Sequence, residues 1–177
     1  MKICLTGGIA CGKSLLSFYL NELGFETIDA DDVAHALITP EERRRLASVV
    51  FKDPVQRKRL EDELHPRIKA RIEAAHAEKG DHLIAVIPLL FEVHWESYYD
   101  IICCITSTRE NQISRMRQRR GYSLEDTEAR IAAQMPVSEK AARSHYVIPN
   151  DGSADDLKRE AVQLAAWLKE KLNERRI

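Results

Sequence analysis

Short apolar runs alternate with amphipathic helical patterns along the whole chain. Residues 2–6 form an apolar run that leads into a glycine-rich turn, and over residues 13–23 leucines recur on one helical face before Gly24. This alternation is typical of a parallel sheet whose strands are joined by helical crossovers. The pattern predicts five strands, at 2–6, 25–29, 83–87, 101–105 and 146–148.

Helix start signals stand between and after these strands. Pro54 and Pro66 are placed like the first residues of helices. Ser123 and Ser153 are each followed three residues later by an aspartate, which is typical of a capping box. The pattern predicts helices at 13–23, 108–120 and 124–134, a last helix after Ser153, and a charged helical stretch over 41–79 in which helices start at Pro54 and Pro66. Together, strands and helices predict one three-layer α/β domain.

The charge of the chain is nearly balanced. Its 177 residues include 27 Lys and Arg and 28 Asp and Glu, which gives a net charge of -1. This balance argues against nucleic acid as the main partner. No apolar run is long enough to span a bilayer, and the N-terminus lacks the pattern of a signal peptide. We therefore expect a cytoplasmic protein with no membrane or nucleic-acid partner.

The four cysteines lack the spacing of a zinc site or a disulfide framework. Cys4, Cys103 and Cys104 lie in apolar runs, where cysteine behaves as a small hydrophobic residue. Cys11 stands close to a helix N-terminus, which favours the thiolate. Two interpretations of Cys11 remain open, a redox-sensitive thiol and a small residue that fills a loop.

The segment from Gly7 to Ser14 matches the P-loop pattern G-x-x-x-x-G-K-[ST] at every defined position. Its glycines allow the backbone to turn tightly, so that N–H groups can approach phosphate oxygens. The segment follows a predicted strand and opens a predicted helix, whose positive dipole end adds to the same place. In such a loop Lys13 reaches the β- and γ-phosphates of ATP and the Ser14 hydroxyl binds Mg²⁺.

The P-loop by itself does not choose between GTPases, ATPases and kinases. No N-K-x-D sequence reads guanine, and the third strand ends in Ile87 and Pro88 without an aspartate. We place Asp29 and Asp31 nearest the P-loop, at the end of a second strand lying beside the first. Asp31 is our candidate for a general base or metal-binding carboxylate. The alternative role of Asp31 is the N-cap of the following helix.

A basic helix carries candidate lid arginines. Arg115 and Arg119 are four residues apart and therefore share one helix face, with Gly121 as a hinge behind them. Arginines that close over a transferred phosphoryl group stabilise its charge and exclude water. The alternative is a helix end that only faces solvent, which we favour for Arg117 and Arg120.

These motifs together resemble the dephospho-coenzyme A kinase family. The resemblance covers nearly the whole chain and includes L-T-G-G-I-x-x-G-K-S at Leu5–Ser14, I-D-A-D at Ile28–Asp31, V-F at Val50–Phe51, H-P-x-I at His65–Ile68 and P-L-L-F-E at Pro88–Glu92. It continues with the lid pattern of Arg115, Arg119, Ser123, Arg130, Ile131 and Gln134, then Lys140 and Val147–Ser153.

The resemblance implies a P-loop kinase fold with a five-stranded parallel sheet, a helical acceptor-binding region and an arginine-bearing lid. It divides the single domain 1–177 into a core (1–31, 81–108 and 135–177), an acceptor region (about 32–80) and a lid (about 109–134). The implied reaction transfers the γ-phosphoryl of ATP, with Mg²⁺, to the ribose 3′-hydroxyl of dephospho-CoA. We expect a monomer or a weak homo-oligomer.

The resemblance also implies roles for single residues. The catalytic candidates are Lys13, Asp31, Arg115 and Arg119. The nucleotide is expected on Gly7, Gly8, Ile9, Ala10, Cys11, Gly12, Lys13, Ser14 and Leu15, and the metal on Ser14. The acceptor is expected on Asp31, His65, Pro88 and Leu89. For His65 the alternative is a place in a turn between two helices.

The chain departs from the family pattern in several places. Leu15 stands where threonine is common, Ala10 replaces a loop glycine, and Ser144–His145 replaces Ala-Asp. The segment between Asp31 and Arg45 is shorter than the family pattern by roughly two dozen residues, which is more than ordinary loop variation. Two other functions therefore stay open, a P-loop kinase for another nucleotide or small metabolite and a non-catalytic nucleotide-binding module.

Overall fold

The computed structural model of the chain describes residues 1–39 and 54–175. The side chains of 54–61, Arg119 and Arg120 lie outside this description, as does the Val50–Phe51 segment.

The centre of the described fold is one sheet of five parallel strands. The strands are β1 (Ile3–Gly7), β2 (Glu26–Asp29), β3 (Leu83–Val86), β4 (Ile101–Thr106) and β5 (Tyr146–Pro149), in the spatial order β2-β3-β1-β4-β5. All residues of β1 and β3 are buried, as expected for strands covered on both faces. The predicted five-stranded parallel sheet is confirmed.

The predicted neighbour of the first strand was wrong. We placed the second strand beside the first, but β3 lies between them and pairs with both. The burial pattern gives the reason, because the wholly apolar β3 needs cover on both faces, whereas β2 carries the exposed Glu26 and suits an edge. In the register, Asp29 is paired with Val86, which is paired with Leu5. The carboxyl ends of the three strands therefore still meet at one edge of the sheet.

Helices cover both faces of the sheet. The described helices are α1 (Lys13–Glu22), α2 (Ala30–Leu37), α3 (Pro54–Lys79), α4 (Arg109–Arg120), α5 (Leu124–Ala132), α6 (Val137–Ala142) and α7 (Ala154–Glu174), with short 3₁₀ turns at Gly80–His82 and Glu96–Tyr98. On one face α1 and α7 pack against Ile3 and Leu5. On the other, α3 packs in a cluster that contains Cys4. Successive residues of β1 thus point to opposite faces, and the predicted three-layer architecture is confirmed.

One predicted helix start was wrong. Pro54 begins α3, but Pro66 lies inside the same helix. Leu64 and Ile68, on either side of Pro66, are both buried in the second core cluster. We attribute the continuity of α3 to this packing, which outweighs the hydrogen bond that a proline removes. The turn that we considered for His65 is therefore absent from the described helix.

Both predicted N-caps are confirmed, and the full capping box is present at Ser153 but is not seen at Ser123. The Ser123 hydroxyl accepts from the Asp126 amide at 3.0 Å, and Ser153 forms a capping box with Asp156. Gly121 ends α4 with φ 65°, a left-handed conformation that suits glycine. Helix α5 ends at Ala132, two residues before the predicted end.

Candidate active site

The loop between β1 and α1 depends on two glycines that have no room for a side chain. Gly7 has φ 149° and Gly12 has φ 105°. A Cβ on Gly7 would stand 2.3 Å from the Ile105 carbonyl oxygen, and one on Gly12 would stand 2.3 Å from the Asn150 side-chain nitrogen. The backbone of the loop therefore lies directly against β4 and the end of β5.

Helix α1 begins at this loop with free amide groups. Its N-cap, Gly12, provides no side-chain hydrogen bond, and the first turn of the helix contains no acidic residue. The first N–H groups of a helix have no partner within the helix, and the helix dipole makes this end positive. The start of α1 is thus suited to an anion such as a phosphate group.

A cleft of about 300 Å³ opens in front of this helix start. It is lined by Ile9, Ala10, Gly12, Lys13, Ser14 and Leu15 of the loop and helix, and by Asp29, Asp31, Pro88, Arg115, Met116 and Gln134. The predicted site residues Lys13, Asp31, Arg115 and Pro88 therefore meet in one cleft. They arrive from four separate parts of the chain, because the carboxyl ends of β1, β2 and β3 and the helix α4 converge there.

Lys13 places its charge inside the loop. Its Nζ donates to the carbonyl oxygens of Gly7 and Gly8, both at 2.9 Å. Burial lowers the pKa of Lys13, whereas the nearby carboxylates of Asp31 and Asp29 raise it. The ammonium group is therefore partly dehydrated and close to the helix start, where it can pair strongly with an anion.

Asp29 and Asp31 have different tasks at the end of β2. Asp29 is the N-cap of α2, and its carboxylate accepts from the Asp31 amide at 2.8 Å. Burial raises the pKa of Asp29, and the hydrogen bond from the Asp31 amide opposes this effect. Asp31 itself is exposed and lines the cleft. The N-cap role that we considered for Asp31 belongs to Asp29, and this leaves Asp31 as the carboxylate suited to chemistry.

Arg115 lies between the P-loop and the end of β5. Its guanidinium donates to the Asn150 carbonyl oxygen at 2.8 Å, to the Ser107 hydroxyl at 3.1 Å and to the Ala10 carbonyl oxygen at 3.4 Å. Arg115 thus combines a place in the cleft with a structural role. The side chain of Arg119 lies outside the described part of the structure.

Two predicted acceptor residues lie away from the cleft. His65 packs edge-on against Trp95, with 5.3 Å between the ring centroids, and borders a separate shallow depression with Lys69. Leu89 is 37% exposed, but it does not belong to the described lining of the cleft. Of the predicted acceptor residues, only Asp31 and Pro88 line the cleft.

Cys11 is fully buried beneath the loop. Burial raises the pKa of its thiol, which outweighs the opposing effect of Lys13. The expectation that the helix start favours a thiolate was therefore wrong, and Cys11 fills space in the loop. Cys4, Cys103 and Cys104 are buried in the core as expected.

Three side chains that hold the loop were not among the predicted site residues. Gln134 accepts from the Ile9 amide at 2.9 Å, Gln112 donates to the Ile9 carbonyl oxygen at 2.7 Å, and Asn150 donates to the Cys11 carbonyl oxygen at 2.7 Å. Gln134 and Asn150 stand inside the family-like motifs, which was the only sequence signal for them. Nothing in the sequence pattern distinguishes Gln112, a polar residue on a polar helix.

A model of the dephospho-CoA kinase family matches residues 1–44 and 41–156. The chain belongs to the dephospho-CoA kinase family. A protein from Thermosynechococcus vestitus named dephospho-CoA kinase is 35% identical over 192 residues, which cover 95% of each chain. The solved dephospho-CoA kinase from Campylobacter jejuni is 29% identical with a TM-score of 0.72, and it covers 97% of this chain and 99% of its own. A solved protein from Thermus thermophilus is 32% identical with a TM-score of 0.82, covering 96% and 97%.

The comparisons also bear on the predicted short segment after Asp31. The 192 aligned positions of the T. vestitus dephospho-CoA kinase exceed the 177 residues of this chain, so that relative contains residues that this chain lacks. The two parts of the family match meet at residues 41–44, inside the segment that we expected to be short. The first finding agrees with a deletion in this chain, and the break in the family match agrees with its expected place in the acceptor-binding region.

Proposed function

We propose that this chain transfers the γ-phosphoryl group of ATP to the ribose 3′-hydroxyl of dephospho-CoA, giving CoA and ADP in the last step of CoA synthesis. The observation that carries the proposal is the joining of Lys13, the start of α1 and Asp31 in a single cleft of a dephospho-CoA kinase family member. In this arrangement an anionic donor and a hydroxyl acceptor can meet between a cation and a carboxylate.

The nucleotide phosphates would lie on the loop from Gly7 to Leu15. The free amides at the start of α1 would donate to phosphate oxygens, and Lys13 would exchange its carbonyl partners for the β- and γ-phosphates. Arg115, already in the cleft, would stabilise the charge on the group in transfer, as would Arg119 from the same helix.

Asp31 would act as the general base. The ribose 3′-oxygen forms a bond to the γ-phosphorus while the bond from that phosphorus to the bridging oxygen of ADP breaks, and the hydroxyl proton passes to the Asp31 carboxylate. Asp31 suits this role because it lines the cleft while Asp29 takes over the helix cap. Pro88 would form one wall of the acceptor site, with Leu89 and His65 as outlying contacts.

The oxygen-bearing side chains of the cleft also suit Mg²⁺. Ser14 is exposed and lines the same cleft as Asp29 and Asp31, and Mg²⁺ commonly takes one or two protein ligands together with substrate phosphates. Within residues 1–39 and 54–175, no group of three or more His, Cys, Asp or Glu side chains could hold a metal ion. Phosphate oxygens of the nucleotide would therefore supply further ligands. When bound with ATP, Mg²⁺ would neutralise phosphate charge.

Incubation of the protein with ATP, Mg²⁺ and dephospho-CoA tests the proposal directly. Mass spectrometry should detect CoA and ADP in equal amounts, and the 3′-deoxy analogue of dephospho-CoA should give neither. ATP binding without CoA formation at generous enzyme concentration would reject the acceptor and favour a non-catalytic nucleotide-binding module.

A second candidate function is phosphorylation of another nucleotide or small metabolite. The break in the family match at residues 41–44 favours it, because this place lies in the expected acceptor region. A panel of nucleosides and small alcohols separates the two candidates. If one of these consumes ATP with a higher kcat/KM than dephospho-CoA, the second candidate is correct.

The remaining parts of the proposal concern the setting of the enzyme. None of the described helices is both long and apolar enough to cross a bilayer. With a net charge of -1, the chain has no excess of basic residues for nucleic acid. We propose a cytoplasmic protein with a small-molecule substrate. We also propose that it is a monomer or a weak homo-oligomer, and sedimentation of the purified protein can test this oligomeric state.

A further inference from the structure

The P-loop of this chain contains a non-glycine residue in a left-handed conformation. Ala10 has φ 58°, a region that L-residues with a Cβ rarely occupy. Glycine adopts positive and negative φ about equally well, and glycine is what the family pattern leads us to expect at this position. Something in the structure must therefore hold Ala10 in this conformation.

Side chains from the lid region hold the two peptide groups on either side of Ile9, the residue before Ala10. Gln112 of α4 donates from its side-chain amide to the Ile9 carbonyl oxygen at 2.7 Å. Gln134, just beyond α5, accepts from the Ile9 amide at 2.9 Å. Ile9 is thus bound on both its backbone groups by side chains 103 and 125 residues away along the chain.

The surroundings of the two glutamines support a built arrangement. Gln112 is only 4% exposed, and its amide nitrogen would stand 2.8 Å from a Cβ on Gly8, so Gly8 leaves the room that Gln112 occupies. The residue after Gln134 is also anchored, since the Met135 amide donates to Glu92 at 3.0 Å.

The hydrogen bond from Gln112 fixes the direction of the neighbouring amide. In a trans peptide the N–H and C=O groups point to opposite sides. With the Ile9 carbonyl directed to Gln112, the Ala10 N–H points away from Gln112, and Ala10 lines the cleft. Rotation of this peptide would change ψ of Ile9 and φ of Ala10 together. The orientation of the peptide and the left-handed φ of Ala10 are therefore two aspects of one geometry.

We propose that Gln112 and Gln134 are positioning residues that keep the loop in its phosphate-binding shape against the strain at Ala10. Gln112 holds the Ile9–Ala10 peptide through its carbonyl group, and Gln134 holds the preceding Gly8–Ile9 peptide through its N–H. Neither glutamine contacts reacting atoms in this proposal. Both belong to the lid region, so they also link the position of the lid to the shape of the loop. The proposal rests on one part of the proposed function, the binding of ATP in the cleft.

The strain at Ala10 provides a specific test. Gln112→Met and Gln134→Met each keep the side-chain length and remove one hydrogen bond to Ile9. We expect each to weaken ATP binding about tenfold, measured by calorimetry with Mg²⁺ and without acceptor. In the Ala10→Gly background the same substitutions should weaken binding less than about threefold, because glycine keeps the left-handed conformation without help. Gln118→Met, on the exposed side of α4, is the matched control and should leave the ATP affinity unchanged.

These variants in the Ala10 and Ala10→Gly backgrounds form a double-mutant cycle for each glutamine. The cycle separates a positioning role from a general structural role. Equal losses in the Ala10 and Ala10→Gly backgrounds, or no loss of ATP affinity in either glutamine variant, would overturn the proposal. If the buried Gln112→Met variant fails to fold, the half-buried Gln134→Met cycle decides alone. An unaltered chain that does not bind ATP would refute the proposed function instead, whereas ATP binding without CoA formation would leave the cycle interpretable.

Discussion

At the scale of single residues, three neighbouring carboxylates occupy different environments. Asp29 caps α2 from a partly buried position, Asp31 lines the cleft, and the exposed Asp32 is outside its described lining. All three side chains are aspartate carboxylates with the same chemistry. Their positions at the end of β2 therefore decide which of them can meet an acceptor hydroxyl.

Replacing Asp31 by Asn tests this assignment. We expect Asp31→Asn to lower kcat by about 100-fold or more, since general base catalysis contributes about 10²–10⁴-fold. The dissociation constant for ATP should change little. Steady-state kinetics with dephospho-CoA and calorimetry with ATP measure the two quantities, and Asp32→Asn is the matched control. Turnover by Asp31→Asn near that of the unaltered chain would reject Asp31 as the base.

Replacing Lys13 by Ala tests the phosphate site. Loss of this cation should lower kcat by about 100- to 1000-fold, corresponding to about 3–4 kcal/mol of electrostatic stabilisation. ATP binding should weaken as well, because Lys13 also holds the carbonyls of Gly7 and Gly8. Kinetics and calorimetry measure both effects, with the exposed Lys158→Ala as control. If both variants retain full turnover, the P-loop assignment is wrong.

At the scale of elements, the start of helix α4 is fixed to the turn that follows β5. The Asp151 carboxylate accepts from the Thr108 amide at 2.7 Å, from the Ser107 hydroxyl at 3.0 Å and from the Asn111 side chain at 3.2 Å. The hydrogen bond from the Thr108 amide is the main cause of a lowered pKa at Asp151. Through this carboxylate, the helix that bears Arg115 is aligned with the core.

The lowered pKa of Asp151 predicts a pH-dependent contribution to stability. A carboxyl group with a lower pKa in the folded state contributes stability above its unfolded pKa of about 3.9 and loses it as the pH falls through the folded value. Asp151→Asn should therefore unfold at a lower temperature than the unaltered chain at pH 7, and this difference should shrink below about pH 4. Thermal unfolding across this range measures it.

The neighbouring exposed Asp155 provides a control for Asp151. Asp155→Asn introduces the same chemical change one turn further on, at the start of α7. If the difference in unfolding temperature between Asp151→Asn and the unaltered chain stays constant from pH 7 to pH 3, the charge of Asp151 is not what aligns α4.

At the scale of the whole molecule, a buried lysine joins separate parts of the structure. Lys140 of α6 is fully buried and donates to the Pro88 carbonyl oxygen at 2.6 Å. It also pairs with Glu92 at 2.7 Å, and Glu92 accepts from the Met135 amide. One ammonium group thus connects α6, the wall of the cleft after β3 and the segment between α5 and α6.

Removing this lysine should destabilise the fold as a whole. Lys140→Ala leaves Glu92 and the Pro88 carbonyl without their cation, and loss of one partner of a buried pair costs roughly 3–5 kcal/mol. Because Glu92 is partly exposed, we expect a value of about 3 kcal/mol, measured by chemical denaturation. Lys171→Ala, which breaks an exposed pair with Glu174, should leave the stability unchanged within error. Equal effects of the two substitutions would contradict the role of Lys140.

Much of the fold and part of the site could be predicted because their determinants are local. The P-loop requires glycine at Gly7 and Gly12, a strand before it and a helix after it, all within a short stretch of sequence. The continuous apolar runs of β1, β3 and β4 indicate strands buried on both faces whatever their neighbours are. The capping residues of α5 and α7 act over three positions. The family resemblance then added the acceptor, which no local pattern supplied.

Only the tertiary structure decided which distant groups meet. The order of strands placed β3 between β1 and β2, and packing on both sides of Pro66 kept α3 continuous. The binding of Ile9 by Gln112 and Gln134 joins residues more than a hundred positions apart. Such contacts depend on burial and on the free energy of the assembled sheet and helices, which no short stretch of sequence contains. The sequence by itself thus determined the phosphate loop and its chemistry, and the assembled fold determined what holds that loop in shape.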